Sequence, residues 1–331
     1  MVLLPGDGIG PEIARAACQV IEAAGVSIDW IQLPAGAEAL DRFGEPLPPA
    51  VIDTARQVGL VLKGPVTTPV GGGFRSVNVT LRQELDLFAN LRPVQSLPGV
   101  PARYQAVDLV VIRENTEGLY IGEEIEEGPD SISALKRVTR SASQRIAEFA
   151  FQYSSSHQRS RLTIVHKANI LKRSDGLFLT TAREVAARFP GVKCGDRIVD
   201  ALAMDLVIEP GRHDVLLCPN LYGDVISDLA AGLIGGLGLV PGANLGARAA
   251  VYEAVHGSAP DIADRGIANP TALILAGEML LRRLDEQDAA DRIQKGIREH
   301  YRQRAVLTPD VGGKASTHEF TEALIKTISQ L

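Results

Sequence analysis

Residues 3–12 read LLPGDGIGPE: an apolar strand, a glycine-punctuated turn and a helix that opens with Pro11. How this turn is read decides the fold. A Rossmann βαβ unit carries G-x-G-x-x-G, whose third glycine lets helix and strand pack closely. Here Gly6, Gly8 and Gly10 are spaced G-x-G-x-G, and Asp7 sets a negative charge where a pyrophosphate would lie. Taken alone, the stretch reads as a tight βα turn, with a phosphate cradle as its rival. The remainder of the chain has to decide between them.

Apolar strand-like runs alternate with amphipathic helical patterns along most of the 331 residues, which predicts an α/β class. Strands are expected at Val2–Leu4, Ser27–Leu33, Leu60–Lys63, Phe88–Val94, Val107–Arg113, Leu162–His166, Val192–Val199, Val215–Cys218 and Ala250–Val255. Ser141 and Ser174 are expected to cap helices. The weakly polar run 229–246 contains six glycines and Pro241, and reads as a packed helix followed by a loop. The stretch 119–140, LYIGEEIEEGPDSISALKRVTR, reads as a protruding β-hairpin. It is either solvated or an arm that pairs with another subunit.

With 45% hydrophobic and 22% charged residues the composition is that of a globular protein. A net charge of −6 argues against nucleic acid as a partner, and no membrane span is expected. Cys18, Cys194 and Cys218 are odd in number and far apart, so they read as buried free thiols of a reducing, cytoplasmic setting. The N-terminal MVLL ends at Pro5, too short for a signal-peptide core.

Three arginines stand near strand or helix ends: Arg82, Arg92 and Arg113. Guanidinium forks pair bidentately with carboxylates, so together they suit a ligand with several carboxylates. Ser76 and Asn78 add hydrogen-bonding groups beside Arg82, which falls four residues after Asn78 on one helix face. In NLYGDVISD, Asp224 and Asp228 lie at i, i+4 and repel unless a cation or arginine lies between them. Oxygen ligands without histidine or cysteine favour Mg²⁺ or Mn²⁺, and Asp200 is a candidate third ligand. Lys167 ends an apolar strand where burial would draw its pKa towards that of a general base, and Tyr120 is a candidate proton donor.

These stretches resemble the β-decarboxylating dehydrogenases, the isocitrate/isopropylmalate dehydrogenase family. The resemblance is carried by LPGDGIGPE, KGPVTTPVGGGFRSVNVTLRQELDLFANLRP, IRENTEGLY, HKAN, NLYGDVISDLAAGLIGGLG and VHGSAPDIADRGIANPTA, in order along nearly the whole chain. It implies two doubly wound α/β domains and a cofactor site unlike the Rossmann type. The larger domain would comprise residues 1–94 and 236–331, and the smaller one residues 95–235 with the hairpin as an intersubunit clasp. It further implies a homodimer with shared active sites, each taking Lys167 and Asp200 from the neighbouring subunit. Arg82, Arg92 and Arg113 would hold the malate part of the substrate, and Asp200, Asp224 and Asp228 the metal.

Within that family the third substituent of the substrate discriminates. Ser76 and Asn78, with Lys63 and Thr68 nearby, resemble the pattern of isocitrate dehydrogenases, with homoisocitrate and 3-isopropylmalate as the alternatives. A non-catalytic regulatory subunit is the rival of a different class. Such a subunit should have lost acid, base or metal positions, whereas Tyr120, Lys167, Asp200, Asp224 and Asp228 are all present. By the same resemblance the opening turn lies beside the cofactor, with Ile9 in contact. The adenosine half is expected on His256, Gly257, Ala259, Asp261, Ile262 and Asn269. The Asp261 carboxylate suits the free ribose hydroxyls of NAD and repels the 2′-phosphate of NADP.

Overall fold

The computed structural model describes residues 1–67 and 76–331. Thr68 and the GGGFR loop therefore lie outside the described residues. In chain order the strands are β1 (Val2–Leu4), β2 (Ile31–Gln32), β3 (Leu60–Lys63), β4 (Ala89–Gln95), β5 (Asp108–Glu114) and β6 (Glu124–Gly128). They continue with β7 (Ser131–Ala134), β8 (Arg161–His166), β9 (Lys193–Ile198), β10 (Val215–Cys218), β11 (Pro241–Leu245) and β12 (Ala250–Ala254). The helices are α1 (Gly10–Ala23), α2 (Ala37–Phe43), α3 (Pro49–Val58), α4 (Val77–Glu84), α5 (Arg140–Ser156) and α6 (Ser174–Ala186). After these come α7 (Val199–Ile208), α8 (Asn220–Ile234), α9 (Thr271–Arg283), α10 (Gln287–Gln303) and α11 (Thr317–Ile328).

Ten strands form one continuous sheet in the order β2-β1-β3-β12-β11-β4-β5-β10-β8-β9. Its two wings are parallel, and they meet through the antiparallel run β12-β11-β4-β5. Strands on one side of the β4/β5 junction come from both chain ends, and those on the other side from the middle of the chain. In β1, Val2 and Leu4 face a smaller core under α3 and α4, while Leu3 faces the main core. Both faces are thus buried, which is why these strands read as unbroken apolar runs. Helix α1 buries Ile13, Ala17, Val20 and Ile21 on one face, and Pro11 sits in its first turn, where its missing N–H costs nothing.

The glycine-punctuated turn is built by backbone packing. A Cβ on Gly6 would lie 2.1 Å from the Pro65 carbonyl oxygen, and one on Gly8 2.0 Å from that of Ser258. Both glycines also have positive φ. The Asp7 carboxylate accepts the backbone N–H groups of Ala37 and Thr67, each at 2.7 Å. The turn therefore packs on neighbouring backbone, and its acidic residue is spent on the first residue of α2 and on the loop after β3.

Four local expectations are corrected. Pro241–Leu245 forms a central strand, β11, where a loop was expected; Pro241 takes the first position, where a missing N–H is tolerated. Only Ile31–Gln32 of the expected strand Ser27–Leu33 pairs, at the sheet edge. Thr139 caps α5, accepting from the Ala142 N–H, and α6 begins at Ser174 with no side-chain cap, so neither Ser141 nor Ser174 caps a helix. All three thiols are free, but only Cys218 is fully buried.

The hairpin appears as β6 and β7, an antiparallel pair apart from the main sheet. Ile125 and Ile132 project from it with 47% and 67% of their surface exposed. Among the described residues no helix is long and apolar enough to cross a membrane.

Candidate active site

Arg92 lies on β4 and Arg113 on β5, whose register sets Asn90 opposite Arg113. Paired residues share a sheet face and residues two apart return to it, so Asn90, Arg92 and Arg113 point the same way. Asn244 of β11 is opposite Asn90, and Glu253 of β12 is opposite Lys63 of β3. One face of the sheet centre is therefore polar beneath two helices. α4 supplies Asn78 and Arg82, and α8 supplies Asp224 and Asp228. A Cβ on Gly223 would lie 2.7 Å from the Arg113 Cβ, so this glycine is what lets α8 cross over Arg113.

These groups enclose a cavity of about 270 Å³. Of the expected substrate residues, Lys63, Ser76, Asn78, Arg82, Arg92 and Arg113 line it. Tyr120, Asp224 and Asp228 also line it, with His256 and Gly257 at its side. A larger cavity, about 540 Å³, lies on the opposite sheet face between α5, α9 and α10, and its lining holds none of these groups.

The cavity floor is a charge network. Arg113 donates from Nε and Nη2 to Asn220 Oδ1 at 3.0 and 2.7 Å, and from Nη1 to Asp224. The Tyr120 hydroxyl donates to the other oxygen of Asp224. Arg92 reaches both acids, at 3.5 Å from Asp224 and 3.3 Å from Asp228. This is the arginine that an i, i+4 acid pair requires.

Burial opposes ionisation of Asp224, yet Arg113, the Tyr120 hydroxyl, Arg92 and Arg82 together hold its pKa below the usual carboxylate value. Asp228 goes the other way: burial raises it, and Arg92 does not fully compensate. Burial, with neighbouring Arg113 and Arg92, draws Arg82 down to about 10, which leaves it charged at neutral pH. The Nε of Arg82, the Nε of Arg92 and the Oδ1 of Asn78 are buried with no hydrogen-bond partner among the described residues. Buried donors and acceptors without partners are rare and costly, so they mark a place for a polar ligand.

Behind the arginines lies a group that the sequence reading missed. Glu253 is buried, 2.7 Å from Lys63 and 3.9 Å from Arg82, and it accepts from Asn244 at 2.7 Å. Its signal in the sequence is a lone charge inside the apolar strand AVYEA. Lys63 is only 2% exposed and donates also to the Gly64 carbonyl, so its ammonium is largely committed within the protein.

Lys167 and Asp200 do not line the cavity; they pair with each other at the far end of the sheet, beyond β8 and at the start of α7. The burial expected of Lys167 is not found: its side chain is part-exposed and ion-paired with Asp200. Hydrogen bonding to Lys167 lowers the pKa of Asp200.

The expected cofactor residues follow β12. His256 Nδ1 lies 2.9 Å from the Gly257 carbonyl and must donate to it, which leaves Nε2 as an unpartnered acceptor among the described residues. Burial keeps this ring neutral by lowering its pKa. Ala259 adopts a left-handed conformation, φ 42°, and Asp261 is exposed. Ile262 packs at the edge of the main core. Ile9 is buried and its N–H bonds the Ser258 carbonyl at 2.9 Å, which joins the opening turn to this segment. The Asn269 amide is engaged by Thr271, Tyr301 and Asp310, so this side chain shapes the loop from within.

Three comparisons bear on this site. Residues 1–324 match the family model described as isocitrate/isopropylmalate dehydrogenase. Over 333 residues the chain is 45% identical to the probable NAD isocitrate dehydrogenase subunit alpha, mitochondrial, of Drosophila melanogaster, covering 98% of this chain and 86% of that one. It is 51% identical over 296 residues to the chloroplastic 3-isopropylmalate dehydrogenase of Solanum tuberosum, covering 89% and 83%. The crystal structure of isocitrate dehydrogenase from Methylococcus capsulatus superposes with a TM-score of 0.97 at 51% identity, covering 99% of each chain.

Proposed function

The chain belongs to the isocitrate/isopropylmalate dehydrogenase family, and we propose that it oxidatively decarboxylates isocitrate to 2-oxoglutarate and CO₂ with NAD as hydride acceptor. The observation that carries the reading is the convergence of Arg82, Arg92 and Arg113 on one small polar cavity, two of them with Nε donors unpartnered among the described residues. The three guanidiniums suit the carboxylates of the malate part, which every substrate of the family shares. The third substituent falls beside Ser76, Asn78 and Lys63, and an isopropyl group there would leave a buried polar group such as Asn78 unpaired at a cost of roughly 1–3 kcal/mol.

Asp224 and Asp228 form an all-oxygen donor pair on one face of α8, which fits Mg²⁺ or Mn²⁺. Among the described residues no set of three acidic, histidine or cysteine ligands forms within one chain. The reading therefore takes the third ligand from a second copy, as the partner subunit's Asp200, in a homodimer with shared sites. A divalent cation held there supplies Lewis-acid stabilisation of negative charge on the substrate's hydroxyl oxygen.

The protein's own groups carry the remaining steps. The three arginines fix the carboxylates and so orient the hydroxyl-bearing carbon, whose hydrogen a bound nicotinamide would accept as hydride. The partner subunit's Lys167 assists removal of the hydroxyl proton as hydride departs, which yields the β-keto acid. The C–C bond to the β-carboxylate then breaks, releasing CO₂ and leaving its electron pair in an enolate. The Tyr120 hydroxyl protonates that enolate carbon. We read the two wings of the sheet as the two domains, residues 1–94 with 236–331 and residues 95–235, and the exposed β6–β7 hairpin as the clasp. An isolated two-stranded hairpin with exposed isoleucines is marginal in water, which supports pairing with a second copy.

Parallel kcat/KM measurements for isocitrate, homoisocitrate and 3-isopropylmalate, with Mg²⁺ or Mn²⁺ and either dinucleotide, test the proposal. Isocitrate with NAD should lead. Preference for either other acid reassigns the substrate, and turnover of none supports the regulatory-subunit reading.

A further inference from the structure

Asp175 has no part in the reaction just described, yet it is one of the most enclosed charged residues of the protein, with no exposed surface. It stands in the first turn of α6, where a negative charge suits the helix dipole. Its two oxygens serve different parts of the chain. Oδ2 accepts the backbone N–H of Lys167 at 2.7 Å. Oδ1 accepts from the ammonium of Lys136, on the segment that returns from the hairpin. That ammonium also lies 4.7 Å from the centre of the Tyr222 ring and 3.4 Å from its hydroxyl. Tyr222 is two residues before Asp224 on α8.

The carbonyl of Lys167 is held as well, accepting from Ile170 at 3.0 Å and Leu171 at 2.9 Å. Its main chain is thus bonded on both sides, and only the side chain is left to reach Asp200. A carboxylate that merely balanced Lys136 would have no need of the Lys167 N–H.

We infer that Asp175 is a positioning residue: it fixes the main chain of Lys167 by accepting its N–H, while the ammonium of Lys136, packed on Tyr222, balances its buried charge. The inference rests on the reading of Lys167 as a proton-handling group. In a homodimer with shared sites, Asp175 stands between a residue lent to one site and the acidic helix of the other. Reacting groups misplaced by about 1 Å lose on the order of 100-fold in rate, so a slackened Lys167 should act on kcat and leave substrate affinity alone.

Two double variants of the full chain isolate the Lys167 bond at constant charge. Asp175→Asn with Lys136→Met removes both buried charges but retains an acceptor for the Lys167 N–H. Asp175→Leu with Lys136→Met removes the charges and the acceptor. The first should keep kcat for isocitrate within a few-fold of wild type. The second should lower kcat about 10- to 100-fold with KM nearly unchanged. Acetic anhydride labelling of Lys167, followed by peptide mass spectrometry, should change in the second pair alone, with other lysines labelling as before. Equal kcat and equal Lys167 labelling in the two pairs would overturn the inference.

Should the leucine pair fail to fold, the single variant Asp175→Asn decides. There the amide oxygen is drawn to the Lys136 ammonium and the amide NH₂ faces the Lys167 N–H. Faster hydrogen exchange at the Lys167 amide is expected, and unchanged exchange overturns the inference. Labelling and exchange need no substrate, so an inactive wild-type protein would sink the functional reading while these readouts still judge Asp175.

Discussion

Arg113 holds Asn220 and Asp224 at once: Nε and Nη2 converge on the Asn220 amide oxygen, and Nη1 reaches the Asp224 carboxylate. One guanidinium thereby anchors the first turn of α8 and the acid one turn further along it. Lysine cannot reproduce this fork. At roughly 1.5–3 kcal/mol for a lost charge-assisted bond, Arg113→Lys should lower kcat/KM for isocitrate about 10- to 150-fold. Steady-state kinetics with saturating NAD checks this, and a change under threefold would remove Arg113 from substrate binding.

Tyr120 stays protonated well into the alkaline range, because burial and then its bond to Asp224 raise its pKa above the ordinary phenol value. The kcat profile should therefore show no falling limb from this group below about pH 10. Tyr120→Phe should reduce kcat by roughly 10²–10⁴ while isocitrate affinity holds. Wild-type kcat in the phenylalanine variant would exclude Tyr120 as the proton donor.

Burial alone would raise Glu253, yet Lys63, then Arg82 and the hydrogen bond from Asn244, hold it down at about 2. A carboxylate depressed in the folded state stabilises above its unfolded pKa and loses that contribution as pH falls through the folded value. The window here runs from about pH 4.5 down to about 2. Glu253→Gln leaves the Lys63 ammonium buried without its counter-charge, and should cost roughly 3–5 kcal/mol at neutral pH. Urea unfolding at several pH values should show the gap from wild type narrowing through that acid window. A gap independent of pH would place the stabilising charge elsewhere.

Asp261 is exposed two residues after the left-handed Ala259, and under the proposed function its carboxylate would face the ribose of the dinucleotide. A 2′-phosphate there meets a like charge, worth up to about 4 kcal/mol for unit charges ~4 Å apart at an intermediate dielectric. Asp261→Lys with Ile262→Tyr should erode the preference for NAD, read as the ratio of kcat/KM for the two dinucleotides. Faster wild-type turnover with NADP at equal concentrations would overturn the assignment.

Ser76 lines the cavity beside Asn78 and Arg82. A negative charge there would face the incoming carboxylates, so Ser76→Asp should raise KM for isocitrate severely or abolish turnover. Unchanged kinetics would place Ser76 outside the substrate's reach.

Local order was legible wherever the chain's own periodicity determines it. β3 and β10 fall on Leu60–Lys63 and Val215–Cys218, the apolar runs expected to form them, because strands buried on both faces advertise themselves in composition. The hairpin was visible from its Gly-Pro-Asp turn and alternating second half. β11 was not, since its proline and glycine imitate a loop, and only neighbours on both sides make it a strand. The arginines, Tyr120 and the acid pair were identifiable as residues, but their convergence depends on strand order. β4 joins its sequence neighbour β5 on one side but the distant β11 on the other, and no local pattern encodes the second pairing. Glu253 took its meaning only when β12 was set beside β3, opposite Lys63. Residue type, spacing and family resemblance thus named the candidate side chains and most of the elements that bear them. Tertiary structure decided which of them meet, because contact between distant segments is set by sheet register and by helices crossing over it, and these are properties of the whole chain.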